Sequence, residues 1–238
     1  MEMSMMISFA IIAFWWFGLT LPLLKTYQQK YYVERKPHAM QNSFKRLFET
    51  IKNVRKEKKI FLFLLAFFFY IDGVYTIIDM ATAYGTALGF ESTGLLLALL
   101  LTQVVAFPFA ILFGRLSSKY EAAKLIRVCI LAYLGISIFA IFLTKQWQFW
   151  LLAVLVGMFQ GGIQSLSRSY FTKIIPLEKS GEYFGLMDVC GKGASFLGTT
   201  VVGVLSQATG QINLSLGALS VFFMLGIVFF RMSEKREG

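Results

Sequence analysis

Seven apolar stretches, each long enough to cross a bilayer, occupy most of this 238-residue chain, and Lys and Arg gather in alternate loops between them. Bilayer hydrocarbon admits backbone only as helices or closed barrels, because no water is present to pair a free N–H or C=O. Runs near ~20 residues match helices crossing ~30 Å. The chain therefore reads as an all-α polytopic helical membrane protein with seven transmembrane helices. Its apolar content of 57% and its 25 Phe exceed what a soluble domain carries, since soluble chains average about 45–50% apolar.

The spans run over 4–24, 60–84, 93–113, 124–143, 147–166, 183–206 and 213–231. Of the 23 Lys and Arg, eleven lie in 25–59, four in 114–127, three in 168–179 and three in 231–238, all on one side. The opposite side holds only Lys145, and Lys192 lies within a span. Positive charge holds loops on the cytoplasmic side. Loops 25–59, 114–123 and 167–182 and the C-terminus are accordingly assigned to the cytoplasm, and the N-terminus to the outside, in a multi-pass protein of the cytoplasmic (inner) membrane. The first stretch has no basic n-region and no small-residue cleavage site, and basic residues follow it, so it reads as a retained span.

This pattern divides the chain into a single transmembrane helix (1–24), a basic cytoplasmic linker (25–59) and a six-helix bundle (60–238). In the linker, Phe44, Leu47, Phe48, Ile51 and Val54 recur at helical spacing. They describe either an amphipathic helix on the inner leaflet, its basic face near anionic headgroups, or a solvated tether. His38, beside Pro37, reads as an exposed linker residue; one imidazole without a Cys or carboxylate cluster makes no zinc site. The net charge of +10 flanks apolar helices rather than covering a polar module, which sets topology and does not call for nucleic acid. Cys129 and Cys190 fall inside apolar spans and read as packing residues. The run from Phe61 to Phe69 reads as lipid-facing bulk, and Trp147 and Trp150 as interface anchors.

Ionisable groups in the spans need a reason, because a charge near the bilayer centre costs at least ~2.5–3.5 kcal/mol. Asp72 lies about 18 Å from the cytoplasmic start of the second span, near the midplane, and Lys192 about 14 Å into the sixth. Asp79 shares a face with Asp72, nearer the outer surface. Asp188 and Lys192 stand at i, i+4, the order that favours an intrahelical pair. Two readings compete: either Asp188 neutralises Lys192 and the pair fastens helices, or Asp72 and Lys192 face a wet path for a charged group or a proton. In the fifth span Gln160, Gln164 and Arg168 form an i, i+4, i+8 stripe that lipid would reject. It lines the cytoplasmic half of a cavity, or else Gly161, Gly162 and Ser165 serve close helix packing. No nucleophile with a base, no paired exposed carboxylates and no metal-ligand spacing occur, so the sequence points to no enzyme, cofactor or metal.

YIDG at 70–73, GRLSSKYEAAK at 114–124, GGIQSLSRS at 161–169 and CGKGASFLG at 190–198 together resemble the C-terminal half of a major facilitator superfamily transporter. More narrowly they are similar to bacterial relatives of the autophagy-associated vacuolar amino-acid effluxers. The likeness covers residues 60–231, and the first span with its linker is similar to that family's sixth helix and central loop. In the loop signature, Ser118 stands where an Asp is usual. The resemblance implies a major-facilitator-type half bundle in which Asp72 and Lys192 lie on neighbouring helices and meet at mid-depth. It also implies that Arg115 and Lys119, with Arg168, belong to cytoplasmic gating.

What the likeness implies is a secondary transporter moving a small polar solute, such as an amino acid, driven by a proton or solute gradient with Asp72 as proton site. Two six-helix halves rock around a central site in such proteins. This chain supplies one half and one helix, so the expected partners, besides the lipid bilayer and the solute, are a separately encoded N-terminal half or a second copy. The alternative is a non-transporting subunit, scaffold or truncated remnant.

Overall fold

A computed structural model of the chain describes residues 2–28 and 49–235, and every regular element among them is helical. These residues fall into two compact units, within 1–40 and 41–238. The first contains α1 (Glu2–Thr26), apolar and exposed on nearly every side. That is the surface a helix surrounded by lipid requires.

The second unit begins with the described turns of α2 (49–56) and continues through α3 (Lys58–Asp79), α4 (Ala81–Ala87), α5 (Ser92–Leu116), α6 (Ala122–Ile141) and α7 (Gln146–Ile174). A 3-10 turn (Leu177–Lys179) leads into α8 (Ser180–Thr209), α9 (Ile212–Gly217) and α10 (Leu219–Glu234). Among the described residues seven helices are long and apolar enough to span a bilayer, and the chain is a multi-pass membrane protein. The second apolar run divides at Met80, beside exposed Asp79, instead of continuing to 84. Left-handed glycines make two of the turns. Gly89 (φ +77°) leads from α4 toward α5, and Gly210 (φ +67°) stops α8, its N–H returning to the Ser206 carbonyl at 3.0 Å. These are conformations that cost glycine little and other residues much.

The α3 helix is central, packed against α10 and α8, while α5 and α6 flank α7. The phenylalanine run is not lipid-facing bulk as its composition implied. Phe63 is fully buried, with its ring centroid 5.4 Å from Phe171, 5.2 Å from Tyr170 and 6.1 Å from Phe230, and Phe67 is buried beside it. A helix apolar on every side offers no sequence sign of which face meets protein. Lipid tails are as apolar as the core, so packing and interhelical hydrogen bonds hold such bundles. Tyr70 and Ser167 share a bond of 2.7 Å between α3 and α7, and the Tyr84 hydroxyl donates to the Ala140 carbonyl at 2.7 Å. The Ser233 hydroxyl donates to the Lys59 carbonyl at 2.8 Å, joining the ends of α10 and α3.

The end of the linker packs on the bundle rather than on a leaflet. Val54 and Thr50 are buried, Thr50 donates to Glu182 Oε2 at 2.9 Å, and the Tyr183 hydroxyl donates to Glu57 Oε1 at 3.2 Å. Phe44, Leu47, Phe48, Pro37 and His38 lie outside the described residues. Each of the two bonds contributes about 1–2 kcal/mol. A Thr50→Val, Tyr183→Phe double variant is therefore expected to be cut by trypsin at Lys52 and Arg55 roughly tenfold faster or more. Unchanged cleavage would show that these bonds do not hold α2.

Candidate functional site

Three helices each contribute one i, i+4 pair to a cleft of about 110 Å³. Ile71 and Tyr75 come from α3, Gln164 and Arg168 from α7, and Asp188 and Lys192 from α8. Residues four apart stack on one helical face, so the three stripes converge where the helices meet. Phe67 and Met187 supply an apolar floor.

The charges pair differently from the sequence expectation. Asp188 does not neutralise Lys192. Its Oδ1 accepts from Arg168 Nη2 of α7 at 2.6 Å, with both side chains about half exposed. Lys192 is exposed, and its ammonium makes no ion pair or hydrogen bond among the described residues. The cleft thus holds a neutral ion pair, one free cation, an amide and a phenol. Such a set can receive an anionic or hydrogen-bonding group of a small solute.

Asp72 and Lys192 do not meet. Asp72 is 0% exposed, and its Oδ1 accepts the Gly198 backbone N–H at 2.9 Å and the Thr76 hydroxyl at 3.3 Å. Its Oδ2 has no hydrogen-bond partner. The approach depends on Gly198, where a Cβ would overlap Thr76 Oγ1 and stand 2.5 Å from Asp72 Oδ1. The carboxyl therefore docks on a glycine of α8 rather than on its lysine.

The polar stripe of α7 also divides. Gln164 and Arg168 line the cleft, whereas Gln160 lines a separate cavity of about 40 Å³ with Gln103 and Thr102 of α5, its Oε1 buried and without a partner. The packing reading holds for the adjacent glycines: a Cβ at Gly162 would meet the Phe113 ring and one at Gly161 the Ala110 methyl. Asp79 is exposed at the end of α3, and Arg115 and Lys119 are exposed at the turn after α5; none of the three joins the cleft. Tyr75 and Gln103 escaped the sequence reading. Gln103 carried a usable signal, a lone amide within an apolar run, whereas a tyrosine in such a run is ordinary.

Comparison with known proteins gives a consistent set. The sequence model of the family described as "Vacuole effluxer Atg22 like" matches residues 1–238. An "Uncharacterized MFS-type transporter YxiO" of Bacillus subtilis is 45% identical over 222 residues, covering 93% of this chain and 52% of that protein. "Autophagy-related protein 22-2" of Aspergillus niger is 29% identical over 223 residues, covering 84% of this chain and 36% of its own length. "Autophagy-related protein 22" of Saccharomyces cerevisiae is 29% identical over 204 residues, covering 81% and 39% respectively. The chain spans about half the length of the bacterial relative and just over a third of the fungal ones.

Proposed function

Because the chain belongs to the vacuole effluxer Atg22-like family, we propose that it forms the C-terminal half of a secondary transporter of the major facilitator type. It moves a small polar solute, such as an amino acid, across the cytoplasmic membrane by alternating access, with its N-terminus outside and its C-terminus in the cytoplasm. It does so together with an N-terminal half. Lys192, Gln164 and Tyr75 contact the solute, and the Arg168–Asp188 pair bridges α7 and α8 beside it. Arg115 and Lys119 belong to the gating turn on the cytoplasmic side.

The observation that carries this reading is the cleft itself. Charged and amide groups of α7 and α8 converge with the Tyr75 phenol of α3 on one cleft, although lipid contact would penalise each of the charges. Only water or a second polar surface removes that penalty. The length relation agrees, since a relative named as an MFS-type transporter is about twice as long. Exposed apolar side chains along α5 (Leu96, Leu100, Val104, Phe107, Ile111) and α8 (Val189, Phe196, Val204) offer surface to lipid and to a partner half. The names of the relatives support a non-enzymatic role. One observation favours the rival, a scaffold without transport: Arg168, Asp188 and Asp72 already find partners inside the bundle.

Flux separates the two. The chain is reconstituted in proteoliposomes alone and with the N-terminal half of the Bacillus subtilis relative, then assayed with a panel of labelled amino acids under an imposed proton gradient. Uptake or efflux is expected with both halves and not with either alone. A stoichiometric two-part complex that moves no member of the panel overturns the reading.

A further inference from the structure

Asp72 lies outside the cleft, yet among the described residues no other side chain is so completely enclosed with a charge to account for. It is 0% exposed, its compensation consists of two donors on one oxygen, and its Oδ2 is without a partner. A carboxylate taken out of water needs a counter-charge or full hydrogen bonding. Among the described residues, no charged or titratable group on the helices packed against α3 forms an ion pair or hydrogen bond with Asp72. On α8, Asp188 pairs with Arg168 and Lys192 lines the cleft, while Cys190 is half-buried. On α7, Tyr170 stacks near Phe63. On α6, Tyr133 stacks on Phe223, Arg127 pairs with Glu234 of α10, and Cys129 is a buried thiol. Arg231 of α10 is exposed, and Tyr84 of α4 bonds to Ala140. On α3 itself Tyr70 bonds to Ser167, Tyr75 faces the cleft and Asp79 is exposed.

The donor at Gly198 is also unusual. It is a backbone N–H in mid-helix, whose ordinary acceptor is the carbonyl four residues earlier, at Ala194. Around it α8 is built loosely. Gly191, Gly193, Gly198 and Gly203 recur, and the hydroxyls of Ser195, Thr199 and Thr200 bond back to carbonyls of the preceding turn at 3.3, 2.8 and 2.6 Å. Back-bonding of this kind bends and loosens helices. The same two helices carry the cleft, through Ile71 and Tyr75, one and three residues from Asp72 in sequence, and through Gly191 and Lys192 on α8.

We infer that the protonation state of Asp72 sets the seating of α8 on α3: the carboxylate holds Gly198, and a proton on Oδ2 releases it. Protonation forms one O–H bond on Oδ2 as one O–H bond of a hydronium ion breaks, leaving water; the Gly198 N–H is then left to the ordinary helical acceptor, the Ala194 carbonyl. A hydrogen bond to a charged acceptor is stronger than one to a neutral acceptor, enough to change the opening of α8 by about fivefold to tenfold. For the transporter this couples a proton to the lysine wall of the cleft, a role that rests on the function proposed above. The latch itself is tested without solute.

The full chain is placed in lipid nanodiscs and compared with Asp72→Asn and Gly198→Ala. Infrared difference spectra between neutral and acidic pH are expected to show the carbonyl stretch of a protonated carboxylic acid that Asp72→Asn lacks. Amide exchange across α8, corrected for its intrinsic pH dependence, is expected to rise about fivefold to tenfold on acidification in the parent and to ignore pH in Asp72→Asn. In Gly198→Ala, which keeps the carboxyl but not the seat, exchange is expected to be fast at both pH values. An infrared band unchanged in Asp72→Asn, or parent exchange with no pH response, overturns the latch. Failure of flux with this response intact refutes transport and leaves the latch standing; flux without the response does the reverse.

Discussion

Replacing Lys192 with Met is expected to lower solute flux about tenfold to hundredfold in the assembled two-part complex, with little change in assembly. That magnitude follows from the role proposed for Lys192 in the cleft. Arg168 is already bound to Asp188 at 2.6 Å, so among the described residues Lys192 is the one cation there left to receive a charged group. A charge-assisted hydrogen bond of that kind contributes about 1.5–3 kcal/mol, and every 1.4 kcal/mol is roughly a factor of ten in affinity. The fold should tolerate the change. Among the described residues Lys192 makes no ion pair that the substitution would orphan, and removing a cation from a membrane helix relieves an insertion cost of about 2.5–3.5 kcal/mol. Met retains the unbranched stem. Lys192→Arg keeps the charge and should retain part of the flux. The measurement is initial uptake rate against complex recovered by size-exclusion chromatography. Parent-like flux in Lys192→Met would remove Lys192 from the solute path, and loss of complex would show it to be structural.

The helices were legible in the sequence because the hydrocarbon imposes both their length and their composition. Six of the spans proceed from apolar runs whose ends moved by some residues, and α7 extends to Ile174, its second half packed on the bundle through Leu166, Ser167, Tyr170 and Phe171. Pairings between helices were not legible. Asp188 stands at i, i+4 from Lys192, so periodicity within one helix nominates that pair, whereas Arg168 comes from another helix and no local pattern announces it. Asp72 escaped for a different reason. Its partner is a backbone N–H bared by Gly198, and a donor without a side chain has no letter in the sequence. The phenylalanines of α3 show the same limit from the apolar side, since core and lipid reward the same residues. What the sequence did convey about the cleft was which residues had no business in lipid: Gln164, Arg168, Asp188 and Lys192 all line it.

Gly157→Val, at the α5–α7 interface, is expected to destabilise the bundle by about 2–4 kcal/mol. A Cβ at this position would stand 2.6 Å from the Thr102 carbonyl oxygen, 3.3 Å from Thr102 Cα and 3.1 Å from Val105 Cβ. Two of those three atoms are backbone, which cannot swing aside as a side chain can. Overpacking alone costs about 1–3 kcal/mol. The forced separation would also strain the Thr102 hydroxyl, which donates to Ala98 within α5 at 3.0 Å and to Ala153 of α7 at 3.3 Å. Interhelical bonds of that type in membranes average about 0.6 kcal/mol and reach about 1.7. Gly193→Val is the matched control, because a Cβ at Gly193 meets nothing within 4 Å. It introduces the same β-branched residue into a helix of the same bundle, so any cost of helix propensity is shared. Equilibrium unfolding in mixed detergent micelles should separate the two variants by at least about 2 kcal/mol. Equal stability would mean that α5 does not seat against α7 at Gly157, and the wall that carries Gln164 and Arg168 would then lack its support.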